Sequence, residues 1–586
     1  MRQWMVAAKK ADFYAIAEKF HVDPVVARII RNREVIGEKN IRIYLGGNLS
    51  DLSDPHQMKD MDRLVEILAQ KIRKQAHIRI IGDYDVDGVT SSHLFLTALR
   101  RVGAKVDVVI PHRIQDGYGL SLHLLQQAKE DGVDTILTCD NGIAAIDEIA
   151  WAKAQKMTVL VTDHHAVPFE EHEGRRTEKK SLADAVVNPH QQDCGYPYKE
   201  LCGAGVAWNV IRVLYENYDM DKREAEDLLD FVAMATVCDV MSLTGENRIL
   251  VKEGLKRIRH TKNIGLQALM QACNVQSENI SAYHFGYVLG PCVNATGRLD
   301  TARHALRLFE TGQETEAEEI ARDLVDLNQE RKELTLQGVE MAKKLCEEGG
   351  YENDPVLVLF LPDVHESIAG LIAGRIREMY NRPVFVLTRG EEGVKGSGRS
   401  TENYSMYENM CGCAELFTKF GGHPMAAGLS LPEENVEKFR RKINENCPLT
   451  VEEVCPDIHI DMAMPVGYAS TELVHQFALL EPFGKDNPSP LFADRNLSIS
   501  RMWVIGKNRN VLRMSVLSEY GQPVPVIFFG DVETLFAYFT EKFGQEEVEN
   551  ALHGRKNRIL FSMVYTAKVD FYQGNENLQL EMKYYR

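Results

Sequence analysis

Between residues 60 and 165, short β-branched strands alternate with helix-forming segments, and acidic or histidine-containing motifs follow several of the strands. The strand segments are HIRIIGDYD, KVDVVIP, TILTCD and TVLVTDHH. Strands separated by helices of about 10–15 residues form βαβ units and a parallel sheet. Because ligands of such sheets bind at the carboxyl ends of the strands, we expect the polar motifs to meet at one edge.

The 586 residues are too many for a single hydrophobic core, which stops growing near ~250–300 residues, so we expect several domains. The overall class is α/β, and the residues after 450 predict a small barrel of the OB type, because short strands there alternate with one helix, VETLFAYFTEKF. The expected segments are an N-terminal helical segment at 1–50, a parallel-sheet α/β domain at 51–312, a long connecting helix at 313–350, a smaller α/β domain at 351–450 and the OB-like β-barrel at 451–586.

Charge and cysteine usage limit the compartment and the partners. The formal net charge of −17 argues against a generally basic nucleic-acid coat but allows a local basic groove. The 11 cysteines are scattered, and the tight pair Cys411 and Cys413 lacks the second pair of a zinc finger. The chain has no signal-peptide pattern and no run of the ~20 apolar residues that span a membrane. We therefore expect a soluble, cytoplasmic protein with reduced thiols and no membrane partner.

The segment IIGDYDVDG places Asp83, Asp85 and Asp87 directly after an apolar strand. Three carboxylates at alternate positions repel each other unless a cation compensates their charge. An exposed acidic loop without a metal is the alternative. A calcium EF-hand loop is disfavoured, because Leu94 occupies the position of its last glutamate and the run follows a strand rather than a helix.

Three further motifs add carboxylates and imidazoles. Asp140 ends TILTCD, and alone it would suit a helix N-cap or a turn. TVLVTDHH ends with Asp163, His164 and His165, whose side chains diverge, so that one imidazole can bind a metal while the other faces a substrate. Asp239 follows the apolar stretch FVAMATVC, where an unpaired carboxylate is costly. Together these residues and the preceding aspartates predict a metal site.

The types of ligand select the metal and the reaction. Carboxylates with little nitrogen and no thiolate favour Mg²⁺ or Mn²⁺, and a histidine ligand shifts the preference towards Mn²⁺. The carboxylates are numerous enough for two ions with one aspartate bridging them. Two ions about 3.5–4 Å apart act as a clamp for phosphoryl transfer, so the sequence predicts a two-metal centre for that chemistry.

Glycine-rich and basic motifs supply groups that bind phosphate. Glycine pairs let backbone N–H groups approach an anion, and arginine binds phosphate oxygens with two parallel donors. Each motif alone could be a turn. The candidate residues are Asn294 and Arg298 in GPCVNATGRL, Ser397 and Arg399 in KGSGRS, and Gly421, Gly422 and His423 in FGGHP.

These motifs and their order resemble a known family. DYDVDG, the strand end at Asp140, the DHH run at 163–165 and Asp239 are similar to successive motifs of the DHH phosphoesterases. Three further motifs are similar to those of the companion DHHA1 domain and of the segment that leads to it, namely NATGRL, GSGRS and GGHPMAAG. With the barrel and EPFGKDNPSPLF at 481–492, the likeness over about residues 40–586 is to the RecJ family of bacterial single-stranded-DNA exonucleases. It identifies 51–312 as the DHH domain and 351–450 as the DHHA1 domain.

The resemblance implies 5′-to-3′ degradation of single-stranded DNA to 5′-mononucleotides, with Mn²⁺ or Mg²⁺, in DNA repair and recombination. It leaves open which of Asp83 and Asp87 binds a metal directly, makes Asp140 the bridge, and gives Asp163 the role of orienting the histidines. His165 and Arg298 would face the scissile phosphate and the substrate. The implied metal ligands are Asp83, Asp85, Asp87, Asp140, His164 and Asp239, and the implied substrate contacts are Arg113, Asn294, Ser397, Arg399, Gly422 and His423.

The resemblance also implies a narrow passage between the two catalytic domains that admits a single strand, with the barrel holding the 3′ side. A helicase and a single-strand-binding protein are the expected protein partners. Two motifs depart from the family pattern. Cys292 stands where many relatives carry an arginine that contacts phosphate, and Ser367 and Gly374 exchange the expected glycine and serine.

Three other functions compete with this interpretation. A DHH phosphodiesterase of short oligonucleotides or other phosphate esters is the main alternative, although such relatives lack the C-terminal barrel. A replication scaffold with a degenerate site should have lost metal ligands, and this sequence retains them. A single-strand binder built on the barrel alone would not need the cluster of carboxylates.

Overall fold

The computed structural model describes residues 3–112, 116, 119–172, 175–299, 302–351, 353–390, 393–506, 509–572 and 574–586. The chain divides into two compact units. The first unit comprises 52–241 and 249–456, and the second unit comprises 3–51, 242–248 and 457–586. Among the described residues, no helix combines the length and the apolar character that crossing a membrane requires.

The N-terminal part of the second unit is one short strand followed by three helices. They are β1 (Trp4–Val6), α1 (Phe13–Phe20), α2 (Pro24–Asn32) and α3 (Glu38–Gly46). Asp12 and Asp23 cap α1 and α2, because their side chains accept hydrogen bonds from backbone N–H groups of the first turn. The apolar face of these helices belongs to the same core cluster as the C-terminal barrel.

A parallel sheet forms the centre of the DHH region, as the alternating pattern predicts. Its elements are α4 (Met61–Arg73), β2 (Ile78–Ile81), α5 (Val86–Arg101), β3 (Val106–Val109), α6 (Leu122–Glu130), β4 (Thr135–Cys139), α7 (Ile146–Ala154), β5 (Thr158–Thr162), β6 (Phe169–His172), β7 (Arg175–Glu178) and β8 (Ala185–Val187). The strand order is β3-β2-β4-β5-β8, all parallel, while β6 and β7 form an antiparallel hairpin. β2 and β4 are buried throughout, as expected of strands covered by helices on both faces.

Helices complete the DHH region and lead out of it. They are α8 (Gly203–Asn217), α9 (Lys222–Glu226), α10 (Leu229–Cys238), α11 (Gly245–Ile258), α12 (Ile264–Ala272), α13 (Ala282–His284), α14 (Gly290–Leu299), α15 (Ala302–Glu310) and α16 (Glu314–Glu348). A π-helical turn, Phe285–Leu289, joins α13 to α14, so residues 282–299 form one continuous helix. α16 is the long connecting helix expected at 313–350, and it packs against α12 and α14.

The DHHA1 region is a mixed five-stranded sheet with helices. Its elements are β9 (Leu357–Phe360), α17 (Glu366–Tyr380), β10 (Val384–Arg389), β11 (Val394–Arg399), α18 (Met406–Cys411), β12 (Lys419–His423), β13 (Ala426–Leu431) and α19 (Val436–Glu445). The order is β12-β13-β11-β10-β9, with only β9 and β10 parallel. The glycine-rich stretches KGSGRS and FGGH are therefore strands, β11 and β12, and the alternative interpretation of them as turns is wrong.

The C-terminal part of the second unit is the expected barrel. Its elements are β14 (Ile458–Ile460), β15 (Met462–Ala463), α20 (Thr471–Phe477), β16 (Phe492–Ile505), β17 (Val511–Leu517), β18 (Pro523–Phe529), α21 (Val532–Phe543), α22 (Gln545–Leu552), β19 (Leu560–Tyr572) and β20 (Asn575–Tyr585). The order is β15-β16-β17-β18-β20-β19, and pairing of β16 with β19 closes the sheet. The expectation of a single helix is wrong, since α20 and α22 accompany α21. α22 buries only Val548 and Ala551, and this apolar pattern is too short to be recognised in the sequence.

Candidate metal centre

The carboxyl ends of β2, β4 and β5, which are neighbours in the sheet, carry the acidic motifs side by side. Asp83 follows β2, Asp140 follows β4, and the Asp163–His165 run follows β5. Asp140 has a positive φ of 62°, a backbone conformation that aspartate tolerates better than most residues. Asn141 fixes this turn, because its side-chain amide donates to the carbonyl groups of Ile81 and Cys139. The sheet topology therefore brings distant parts of the sequence to one edge.

Helix ends hold the other two aspartates of the first motif. Asp85 is the N-cap of α5, and its Oδ1 accepts the N–H of Gly88 at 3.0 Å. The carboxylate of Asp87 accepts the N–H groups of Gly203 and Ala204, the first residues of α8, at 2.6 and 2.7 Å. The N-terminus of a helix stabilises an anion at this position. A Cβ atom at Gly203 would lie 2.6 Å from the Cβ of Asp140, so only glycine fits there.

His164 lies at the centre of the cluster. Its Nε2 is 3.0 Å from Oδ1 of Asp140, 3.6 Å from Oδ2 of Asp239 and 3.7 Å from Oδ2 of Asp87. Asp239 reaches the site from the C-terminal end of α10. Within the described part of the chain, this buried Nε2 makes no hydrogen bond. A buried polar atom without a hydrogen bond is costly, and an imidazole nitrogen among carboxylates is a donor set that suits Mn²⁺ or Mg²⁺.

Three groups of donor atoms are each compact enough to hold a cation, with all their atoms within 4.8 Å of one another. They are Asp83 with Asp85 and Asp140, Asp87 with His164 and Asp239, and Asp140 with His164 and His165. Asp140 and His164 each belong to two of the groups, and of the two only the carboxylate of Asp140 has two oxygens with which to bridge two ions. All six residues expected as metal ligands therefore meet at this edge.

Burial and mutual repulsion shift the pKa values of carboxylates in this cluster upwards. Burial raises the pKa of Asp83 and Asp140, and the charges of Asp85 and Asp87 respectively raise them further. Burial and the charge of Asp87 also raise the pKa of Asp85. Burial lowers the pKa of His164, which favours the neutral imidazole that binds metals. Cations at this edge would offset the repulsion among the carboxylates.

Asp163 holds the backbone of both histidines and the ring of His165. Its Oδ1 accepts the N–H groups of His164 and His165 at 2.7 and 3.0 Å and lies 2.8 Å from Nδ1 of His165. Its Oδ2 accepts the N–H of Ile143 at 2.9 Å. Burial by itself would lower the pKa of His165, but the hydrogen bond and charge of Asp163 outweigh it and raise the pKa to about 9. His165 is 40% exposed, so its ring is accessible to a substrate.

α14 connects the metal cluster to the DHHA1 region. Oδ1 of Asn294 accepts the N–H of Val86, inside the first acidic motif, at 3.1 Å. One turn later, the guanidinium of Arg298 donates to the carbonyl oxygen of Ser367 at the start of α17. A Cβ atom at Gly297 would lie 2.6 Å from the carbonyl oxygen of Tyr84, so glycine allows this close approach.

A cavity of about 440 Å³ lies between the first acidic motif and the DHHA1 sheet. Tyr84 forms one wall, and Ser397, Lys395 and Lys419 lie on the strands opposite. Neither lysine was predicted from the sequence, although Lys395 begins the KGSGRS motif itself. Lys395 forms an ion pair of 2.8 Å with Glu366, the first residue of α17.

The remaining predicted substrate contacts differ in position. The guanidinium of Arg399 lies over Gly370 of α17, where an added Cβ would be 2.8 Å from its Nη2. Gly421 lines the cavity, whereas Gly422 and His423 are exposed further along β12 and are not among its lining residues. Arg113 lies outside the described residues.

The departures from the family pattern are structural in character. Cys292 is buried, accepts the side-chain N–H of Asn328 at 3.3 Å and has its Sγ 3.7 Å from that of Cys273, so it faces the helix packing and not the cavity. Ser367 is buried and offers Arg298 its backbone carbonyl, a contact that any residue could supply. An added Cβ at Gly374 would meet nothing within 4 Å.

Comparisons with known proteins agree with this organisation. Three family models match: "DHH family, N-terminal domain" at 77–236, "DHHA1 domain" at 353–447 and "RecJ OB domain" at 460–584. The single-stranded-DNA-specific exonuclease RecJ of Haemophilus influenzae is 32% identical over 581 residues, which are 96% of each chain. The RecJ protein of Bacillus subtilis is 33% identical over 512 residues, 87% of this chain, and the match spans 63% of its own length. The crystal structure of RecJ from Thermus thermophilus in complex with Mn²⁺ matches with a TM-score of 0.79 and 25% identity, covering 100% of this chain and 79% of that one.

Proposed function

Because the chain belongs to the RecJ family of single-stranded-DNA-specific exonucleases, we propose that it degrades single-stranded DNA from the 5′ end and releases 5′-mononucleotides. The observation that carries this proposal is the convergence of six potential metal ligands, five aspartates and His164, at one edge of the parallel sheet, next to a cavity lined with lysine and serine. The reaction is hydrolysis of the terminal phosphodiester bond. Its setting is DNA repair and recombination in the cytoplasm, with a helicase and a single-strand-binding protein as candidate partners.

Two divalent ions, Mn²⁺ or Mg²⁺, would supply an activated water and neutralise the charge that develops on the phosphate. Asp83 and Asp85 would hold one ion, His164 and Asp239 the other, and Asp140 would bridge them, since it belongs to two of the donor groups. The helix N-terminus that binds the carboxylate of Asp87 keeps it in position as a ligand for the second ion.

The protein groups around this cluster would bind and orient the strand. Asp163 holds His165 so that its ring faces the scissile phosphate, where a protonated imidazole stabilises negative charge. Arg298, Ser397 and Arg399 lie where α14, β11 and α17 meet, and we assign them to the 5′-terminal phosphate and the adjacent backbone. Lys395 and Lys419 add positive charge to the same cavity.

The test uses a 5′-phosphorylated single strand and the corresponding blunt duplex, incubated with Mn²⁺ and resolved by length over time. We expect mononucleotides from the 5′ end of the single strand and much slower attack on the duplex. Endonucleolytic fragments, trimming from the 3′ end or equal attack on the duplex would contradict the proposal. Activity confined to dinucleotides or other small esters would favour the alternative, a DHH phosphodiesterase of short substrates.

A further inference from the structure

An exposed pair of tyrosines precedes the helix that contacts the metal cluster. Tyr283 and Tyr287 are 62% and 70% exposed, and their rings stack with centroids 5.1 Å apart and an interplanar angle of 23°. Single exposed aromatic side chains are common, but two large rings stacked on one another in solvent form an accessible flat surface. The proposed chemistry at the metal cluster does not use either residue.

The tyrosines lie on the same continuous helix as two residues of the site. Asn294 and Arg298 are four residues apart and share a face of α14, and Tyr283 and Tyr287 precede them on this helix. Tyr287 and Asn294 are seven residues apart, about 10 Å along the helix axis at 1.5 Å per residue. The π-helical turn 285–289 contains Tyr287, and such turns are frequent at functional sites.

Contacts fix this segment against the metal cluster. The thiol of Cys238, the residue before Asp239, donates to the carbonyl oxygen of Phe285 at 3.3 Å. A Cβ atom at Gly290 would lie 2.3 Å from the same sulfur, so the helix passes close to the end of α10. The tyrosine pair is therefore held at a fixed distance from a proposed metal ligand.

The order of contacts along the helix indicates on which side of the scissile phosphate the tyrosine pair lies. Arg298 contacts α17, where the proposed site of the 5′ phosphate lies, and Asn294 contacts the first acidic motif. Tyr287 and Tyr283 follow in the same direction, away from α17 and past the metal cluster. A strand whose 5′ end lies at α17 would thus meet the tyrosines on the 3′ side of the scissile bond.

We propose that Tyr283 and Tyr287 form a stacking platform for unpaired nucleobases on the 3′ side of the scissile phosphate. Every nucleobase has an aromatic face, so a stacked aromatic platform binds single strands without preference for sequence. Bases that are paired in a duplex cannot present that face, so the platform would contribute to selection of single strands. This inference rests on the single-stranded-DNA substrate proposed above.

The experiment compares an intact 5′-phosphorylated strand with one whose second to fifth nucleotides are abasic, so that phosphates are kept and bases are removed. The KM for release of the first nucleotide is measured with Mn²⁺. Stacking of one base on an aromatic side chain typically changes affinity by about tenfold or more. We expect the KM of the wild type to be about tenfold higher on the abasic strand than on the intact strand. The KM of Y283A/Y287A on the intact strand should be about tenfold above that of the wild type, and it should not rise further on the abasic strand.

Two control variants separate stacking from general effects. Y283F/Y287F keeps both rings and should behave as the wild type. Y14A removes a tyrosine that is 78% exposed on α1 and should also behave as the wild type. Thermal unfolding of each variant verifies the fold.

Different failures of this experiment have different meanings. If the wild type does not degrade the intact strand, the proposed function is wrong, and the proposal of a stacking platform is wrong as well. If the wild type degrades both strands with the same KM, only the platform is wrong. The same holds if Y283A/Y287A keeps the wild-type KM on the intact strand, or if its KM still rises about tenfold on the abasic strand.

Discussion

Buried polar groups serve opposite purposes in the two units of the chain. In the second unit, the guanidinium of Arg248 is 1% exposed and donates to the carbonyl oxygens of Tyr44, Leu479 and Leu480 at 2.8–2.9 Å. Asn487 is equally well satisfied, since its amide donates to two carbonyl oxygens and its Oδ1 accepts the hydroxyl of Tyr44. In the first unit, carboxylates crowd around a buried His164 Nε2 that makes no hydrogen bond within the described part of the chain.

The difference separates polar groups that stabilise the fold from polar groups suited to bind a ligand. A satisfied buried group stabilises the fold and is destabilising to remove, because its partners are then left without hydrogen bonds. An unsatisfied group in a cluster of like charges destabilises the fold until a ligand compensates it. The following predictions test that distinction, from the largest expected effect to the smallest.

Asp140→Ala should reduce the rate of nucleotide release by about 10³-fold or more, equivalent to about 4 kcal/mol of transition-state stabilisation. The reason is that Asp140 belongs to two of the donor groups. The free energy of unfolding of the Asp140→Ala variant, measured without metal, should not be lower than that of the wild type, because the substitution removes a charge from a repulsive cluster. Full activity in this variant would disprove the bridging role, and unfolding of the variant would show that Asp140 is structural.

Arg248→Met should lower the free energy of unfolding by about 3 kcal/mol or more, because three buried carbonyl oxygens lose their donor. Denaturant titration followed by fluorescence measures the change. Arg223→Met is the matched control, since the Arg223 side chain is 82% exposed, and we expect almost no effect. A change in Arg248→Met as small as in the control would remove the contrast between the units.

Mn²⁺ at about 100 times its dissociation constant should raise the free energy of unfolding of the wild type by about 2.7 kcal/mol. The cation binds the folded cluster and not the unfolded chain. Arg248→Met should retain this stabilisation, whereas Asp140→Ala should lose most of it. Equal stabilisation of the wild type and Asp140→Ala would place the cation elsewhere.

His93 provides the test with the smallest expected effect, because it is a buried histidine outside the metal cluster. Its ring packs against Phe231 and Phe309, and its Nδ1 makes no hydrogen bond to any part of the chain that the structure describes. Burial, reinforced by the charge of Arg100, lowers the pKa of His93 to about 3. The unfolded chain therefore binds a proton below pH 6.5 that the folded chain does not, and stability is lost as the pH falls below that value.

Between about pH 7.5 and pH 5 this loss amounts to about 2 kcal/mol. His93→Leu should show a correspondingly weaker dependence of unfolding free energy on pH, which urea titrations at several pH values measure. A slope equal to that of the wild type would show that burial does not shift the pKa of this imidazole.

The sequence predicts most of the metal edge because local pattern and topology suffice there. Alternating strands and helices determine a parallel sheet, and the carboxyl ends of its strands must share an edge, so Asp83, Asp140 and His164 could be grouped in advance. Asp239 could be suspected from its apolar surroundings, but its position at the end of α10 depends on helix packing that no local pattern encodes.

Contacts made by the backbone or by distant segments could not be predicted from the sequence. The N–H groups of Gly203 and Ala204 bind Asp87 through no side chain at all. Lys419 reaches the cavity only because β12 pairs with β13 in a sheet whose glycine-rich strands resemble turns. Arg248 belongs to a segment of seven residues, 242–248, whose partners are more than 200 positions away in both directions.

The second unit is assembled from three separate stretches of chain, 3–51, 242–248 and 457–586, and this has a consequence for synthesis on the ribosome. The N-terminal helices emerge first, but residue 457 follows residue 51 by about 400 residues, which take roughly 20–80 s to translate at 5–20 residues per second. Throughout that time the apolar faces of α1 and α2 lack most of their core. The nascent chain should therefore depend on chaperones early, and a synonymous change that slows translation before residue 457 should increase aggregation.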